Sequence, residues 1–209
     1  MARTKSSASW LSRHVNDPFV KQAQKDGYRS RAAYKLIELN EKDRLIRPGM
    51  RLLDLGSAPG GWSQVAGKLV GSKGRVLATD ILPMDALPNV DFIQGDFHDE
   101  AVVQQLLDWL GGGRFDLVIC DIAPNLSGIP SADQAASIYF LELALDTVRR
   151  TLKPGAAFVA KMFQGAGSDD YVKELRKYFA KVSIRKPAAS RKESREVYLV
   201  AKEFRGERP

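Results

Sequence analysis

The stretch that most constrains this chain is Leu52-Leu53-Asp54-Leu55-Gly56-Ser57-Ala58-Pro59-Gly60-Gly61-Trp62. A short apolar run, preceded by Arg47-Pro48-Gly49 and closed by a glycine-rich turn, reads as a buried parallel strand running into a helix N-terminus. Such a junction is a ligand site. Glycine takes positive φ and lets a ligand approach where a Cβ would block it, and the free N–H groups of the helix start favour a carboxylate or phosphate.

What is missing narrows the ligand. A dinucleotide fingerprint wants Gly-x-Gly-x-x-Gly, whose middle glycine admits a pyrophosphate; here the register is Gly56, Ala58, Gly61. A phosphate-binding loop wants Gly-Lys-Ser/Thr at its end, and Gly61-Trp62-Ser63 stands there. Asp80 closes the run Arg75-Val76-Leu77-Ala78-Thr79 at about the spacing where an acidic residue on a strand end takes ribose hydroxyls. A ligand with a ribose and a carboxylate but no phosphate fits best, and S-adenosylmethionine is one.

Helical and strand patterns alternate from there on. Strands are expected at 51–55, 75–80, 90–94, 115–121, 156–161, 182–185 and 196–201, with helices from 62, at 100–110, 133–152 and 170–179. Ser30 is expected to cap a helix over 31–42, with Ala33, Leu36, Ile37 and Asn40 on its packing face. This is an α/β pattern: a Rossmann-like, mostly parallel seven-stranded sheet with helices on both faces. The 209 residues read as one domain, with 1–28 a basic, partly flexible arm.

In such sheets the ligand sits beyond the carboxyl ends of the strands. Gly56, Asp80, Asp96, Asp121 and Lys161 each stand at or just past an expected strand end and should converge on one crevice. Lys161 is the most telling, since a desolvated ammonium at the tip of a central strand is costly unless paired. It reads as a base or positioning group with a second cation nearby; Lys35 is a candidate for that cation, although by itself it reads as an ordinary exposed helix lysine. Asp121 opens Asp121-Ile122-Ala123-Pro124-Asn125. An enzyme directed at an exocyclic amine would be expected to carry Asn-Pro-Pro-aromatic there, so an amine is the less favoured target.

Net charge is +7, and the basic residues cluster. Arg3, Lys5, Arg13, Lys21, Lys25, Arg29, Arg31 and Lys35 load the N-terminal region; Arg185, Lys186, Arg191, Lys192 and Arg195 load a late loop. Brought together, the two ends would form one surface for a polyanion. The first seven residues lack the apolar stretch of a secretory signal, and no apolar run reaches membrane-span length. A single cysteine, Cys120, suits a reducing cytoplasm. His14, His98 and Cys120 show no metal-ligand spacing, so no metal is expected, and each histidine reads as a surface or capping residue.

Gly27-Tyr28-Arg29-Ser30-Arg31-Ala32-Ala33-Tyr34-Lys35-Leu36, the glycine-rich run, Gln94-Gly95-Asp96-Phe97, Asp121 to Asn125, Lys161-Met162-Phe163-Gln164-Gly165 and Ser190 to Tyr198 together resemble the FtsJ/RrmJ (RlmE) family of ribosomal RNA ribose 2′-O-methyltransferases. The likeness runs from about Asp26 to Lys202, with the motifs in the same order. It implies a Lys-Asp-Lys-Glu tetrad at Lys35, Asp121, Lys161 and Glu196, with Lys161 as proton acceptor or stabiliser of the alkoxide. It also implies S-adenosylmethionine contacts at Gly56, Gly60, Trp62, Asp80, Asp96 and Asp121. The implied target is a uridine in the A-loop of 23S ribosomal RNA in the 50S subunit, reached by a monomer. Arg29, Arg31, Arg191 and Arg195 are the expected RNA contacts. The rival readings are a small-molecule or protein methyltransferase on the same fold, and an assembly factor that keeps the pocket without turnover.

Overall fold

The computed structural model describes residues 17–124 and 127–206. Arg3, Lys5, Arg13, His14 and Asn125 therefore lie outside the described residues. The elements in chain order are α1 (Pro18–Asp26), α2 (Ala32–Asp43), β1 (Arg51–Leu55), α3 (Gly61–Val70), β2 (Arg75–Asp80), β3 (Val90–Gln94) and α4 (Glu100–Leu110). They continue with β4 (Phe115–Cys120), α5 (Pro130–Thr151), β5 (Leu152–Phe163), α6 (Ser168–Tyr178), β6 (Phe179–Arg185) and β7 (Glu196–Phe204).

One seven-stranded sheet runs in the order β3-β2-β1-β4-β5-β7-β6. Strands β1 to β5 pair in parallel, and β7 inserts antiparallel between β5 and β6. The strands read as unbroken apolar runs because both faces are covered. On one face Leu52, Val76, Leu117 and Val159 pack with Ala33 and Leu36 of α2 and Trp62, Val65 and Ala66 of α3. On the other, Leu53, Leu55, Val118 and Phe158 pack with Leu106 of α4, Leu141 and Val148 of α5 and Leu175 of α6. Alternation along each strand sends successive residues to opposite cores. The chain leaves β1 toward β2 on one side and reaches β4 on the other, so the switch point of the sheet lies between the ends of β1 and β4.

Several expectations are corrected locally. Part of the expected arm is the helix α1, capped by the Asp17 carboxylate accepting from Phe19 N at 3.0 Å and ended by Gly27 at φ +73°. Ser30 does not cap α2 through its side chain; the N-cap position is Arg31. Leu39 is buried in α2, while the Asn40 amide turns to accept from Ile46 N at 2.7 Å, fixing the helix exit. Strand β5 starts four residues early, at Leu152, because Lys153-Pro154-Gly155 is absorbed by a shift of register between Phe115 and Leu117 of β4. Among the described residues, no helix is long and apolar enough to cross a membrane.

Candidate active site

The turn after β1 is built by backbone pairing to the end of β2. Gly56 N and Ser57 N both donate to Thr79 O, at 2.9 and 3.1 Å, and Ala58 N donates to the Asp80 carboxylate at 2.9 Å. The other Asp80 oxygen accepts from Leu82 N at 2.9 Å. Two amides thus fix this carboxylate and leave lone pairs free for a ligand. Gly56 has φ +70°, and a Cβ there would lie 2.0 Å from Ile122 Cγ1, so only glycine lets the β4 loop close over the turn.

A cavity of about 320 Å³ opens beside this turn. Gly56, Asp80, Asp96 and Asp121 line it, with Ile81, Leu82, Phe97, Ile122 and Phe140 as its apolar walls. Trp62 and Gly60 sit elsewhere. The Trp62 indole is buried, donates to Ala32 O at 2.8 Å and lies 5.6 Å from the Tyr198 ring, so it anchors α2 behind the site. Gly60, at φ +107°, shapes the start of α3, and a Cβ there would meet the Arg29 guanidinium at 2.9 Å.

A second cleft, of about 600 Å³, is lined by Arg31, Lys35, Lys161, Arg191, Glu193, Ser194 and Glu196. The two meet at one pair. Lys161 Nζ donates to Asp121 O at 2.7 Å and lies 3.2 Å from Asp121 Oδ1, which places the ammonium on the cleft side and the carboxylate on the cavity side. Only 8% of the Lys161 side chain is exposed, so the pairing that a buried ammonium demands is met by one carbonyl and one carboxylate.

Lys35 and Glu196 complete the group, 2.7 Å apart. Tyr198, not picked out from the sequence as a site residue, ties the halves together: its hydroxyl donates to Asp121 Oδ1 at 2.7 Å and lies 3.4 Å from Glu196 Oε1. Glu196 and Tyr198 are two apart on β7 and share a face, and Tyr198 pairs with Lys161 across the strands. The period of two was the available signal. Ser190 Oγ adds a 2.7 Å bond to Glu196.

Electrostatics follow from burial. Burial works to raise the Glu196 carboxyl, but the charge and hydrogen bond of Lys35, the Ser190 hydroxyl and the charge of Lys161 hold it below the ordinary glutamate value. Burial, then the Asp121 and Glu196 charges, push the Tyr198 phenol well up, so it remains a donor. Beneath the turn, burial raises the Asp54 carboxyl to about 7 despite a 2.6 Å bond from Ser63, and the charges of Asp121 and Asp80 add to it. Burial likewise pushes the Cys120 thiol up to about 12, which makes it inert.

The expected RNA-contacting arginines divide. Arg29 spends its guanidinium on three carbonyls, Pro59, Asp85 and Ala86, at 3.2, 2.8 and 3.0 Å, and so clamps the loop after β2 to the glycine-rich turn. Arg31 pairs with Asp17 and donates to Ala189 O at the cleft wall. Arg191 lines the cleft, and Arg195 is exposed beside it. The N-terminal and late basic segments do meet, through Asp17, Arg31 and Arg191. His98, expected on the surface or at a cap, packs instead among Phe97, Tyr139 and Phe140 beside Asp96.

The chain matches the FtsJ-like methyltransferase family over residues 28–204. It is 68% identical over 206 residues to the ribosomal RNA large subunit methyltransferase E of Stutzerimonas stutzeri, covering 99% of this chain and 100% of that protein. Against the enzyme of the same name from Marinobacter nauticus the identity is 65% over 205 residues, covering 98% and 99%. Among solved structures, a ribosomal RNA methyltransferase from Plasmodium falciparum is similar with a TM-score of 0.77 at 31% identity, covering 86% of this chain and 100% of that one.

Proposed function

The chain belongs to the FtsJ-like methyltransferase family, and on that premise we propose that it transfers a methyl group from S-adenosylmethionine to the ribose 2′-hydroxyl of a uridine in the A-loop of 23S ribosomal RNA. The substrate is the 50S subunit, and the enzyme acts in the cytoplasm as a monomer. The single observation that carries this reading is the Lys161–Asp121 pair standing where the acidic cavity meets the basic cleft.

The residues present fit the donor. Asp80 keeps lone pairs for ribose hydroxyls after its two amide bonds. The cavity carries carboxylates, suited to a cationic ligand, with apolar walls for a base. Asp54 Oδ1 and Ser57 Oγ, both buried under the turn, have no hydrogen-bond partner among the described residues, as expected beneath a polar ligand. When bound, the donor supplies a methyl on positively charged sulfur, already a good electrophile.

The protein's share is alignment and proton handling. Asp121 holds Lys161 by its carbonyl and carboxylate and presents negative charge to the cavity. Lys161 Nζ receives the 2′-hydroxyl proton as the neutral amine, or as the ammonium steadies the developing alkoxide while that proton passes to solvent. Lys35, fixed by Glu196 in the same cleft, positions that hydroxyl. Arg31 and Arg191 at the rim hold phosphates of an accessible loop nucleotide.

Incubation with tritiated S-adenosylmethionine and 50S subunits from cells lacking the enzyme, followed by digestion of the RNA, tests the reading. Label is expected in 2′-O-methyluridine. Label in another nucleotide or another RNA discards the substrate, and none anywhere discards the activity.

A further inference from the structure

The loop between β6 and β7 brings both Arg191 and Glu196 to the basic cleft, and one face of α2 holds that loop in place. Arg31, Lys35 and Glu38 recur at helical spacing, so they stand one above another along the helix. Each takes a different part of the loop. Glu38 accepts from Ala188 N through both carboxylate oxygens, at 2.9 and 2.7 Å; Arg31 donates to Ala189 O; Lys35 pairs with Glu196 at 2.7 Å. The turn also closes on itself, Ser190 N donating to Pro187 O at 2.9 Å. These bonds fix the turn through its backbone and ask nothing of the Ser190 side chain.

That side chain has another task. It is buried, and its hydroxyl donates to Glu196 Oε1 at 2.7 Å, the oxygen that also faces Lys35 Nζ. An ionised carboxylate only accepts, so the hydroxyl hydrogen points at Glu196. Ser194, from the same loop, accepts from Glu196 N at 3.1 Å. One serine thus holds the backbone of Glu196 and the other its carboxylate. An ion pair alone leaves two long side chains free to meet in several rotamers. A second donor on the same oxygen selects one of them, and with it one place for the Lys35 ammonium.

On the functional reading given above, we infer that Ser190 is a positioning residue for methyl transfer: its hydroxyl fixes the Glu196 carboxylate and, through it, the Lys35 ammonium that orients the ribose hydroxyl. A merely structural serine would act differently. A loosened turn would release Arg191, the next residue, and weaken the hold on 50S subunits whether or not Glu196 were present. Positioning acts through Glu196 and on the transfer step.

Single-turnover methyl transfer, followed over a range of 50S subunit concentrations for the native chain, Ser190→Ala, Glu196→Ala and the double variant, separates the two. Ser190→Ala is expected to lower the limiting rate about fivefold, the order of one hydrogen bond, with the half-saturating subunit concentration and the thermal midpoint near native. In the Glu196→Ala background the same change should cost less than about twofold. The inference is overturned if Ser190→Ala keeps the native limiting rate, if its loss appears in the half-saturating concentration or in step with a fallen thermal midpoint, or if the loss persists without Glu196. A native chain that methylates no RNA overturns the functional reading, and the inference with it. The other failures all arise in an active native chain, so the two are told apart.

Discussion

The Tyr198 hydroxyl donates to Asp121 Oδ1 at 2.7 Å, on the same oxygen that faces Lys161 Nζ at 3.2 Å. One phenol on the antiparallel strand β7 thus fixes the carboxylate that stands between the cavity and the cleft, and its ring also lies under Lys35 Nζ at 5.5 Å. The four charged side chains are held as a unit through it.

Tyr198→Phe should therefore lower kcat by about tenfold, the order of one buried hydrogen bond, since the ring and its packing on Trp62 remain. Affinity for S-adenosylhomocysteine should stay within about twofold of native, because the cavity walls are untouched. Steady-state kinetics on 50S subunits beside calorimetric titration measures both.

Asp54 makes stability depend on pH in a definite direction. Its carboxyl titrates near 3.8 when unfolded and is raised to about 7 when folded. Below the unfolded value both states are protonated. As pH rises from about 4 to 7 the unfolded state ionises first, and stability falls by an amount on the order of a few kcal/mol. Asp54→Asn, which keeps an acceptor for Ser63, should remove that decline. Urea titrations at intervals across this window should show a flatter profile for the variant than for the native chain; parallel profiles would rule out the assignment.

Arginines on the basic face should separate by what they hold. Arg29 bonds three carbonyls around the glycine-rich turn, so Arg29→Ala should lower the thermal midpoint and weaken S-adenosylhomocysteine binding. Arg191→Ala should leave both near native but weaken binding to 50S subunits and reduce the salt dependence by about one in the slope of log affinity against log salt. Titrations at several ionic strengths distinguish the two outcomes.

Much of this arrangement was legible in the sequence, for physical reasons that also mark where legibility ended. Strands buried on both faces leave unbroken apolar runs, and ligand residues of such sheets fall at strand ends, so Gly56, Asp80, Asp96, Asp121 and Lys161 announce themselves. The likeness of motifs supplied Lys35 and Glu196, which look like ordinary exposed charges. Helix α1 was read as part of the arm because its residues are mostly polar and it buries only Ala23, although Asp17 and Gly27 are its proper caps. The internal bonds of Trp62 and Arg29 were not legible because their partners, the carbonyls of Ala32, Asp85 and Ala86, are remote in sequence and carry no side-chain signature. His98 escaped for the same reason, its aromatic neighbours Tyr139 and Phe140 coming from α5.

The central claim is that Lys161 serves the transfer and the neighbouring cavity serves binding, with Asp121 between them. The most direct measurement is a pair on Lys161→Ala: the single-turnover rate of methyl transfer to 50S subunits, and the Kd for S-adenosylhomocysteine by calorimetry. We predict a rate lower by at least about a hundredfold, as for loss of a general base, with Kd within about threefold of native. A Kd that rises in step with the lost rate, or a rate that survives the substitution, would contradict the account.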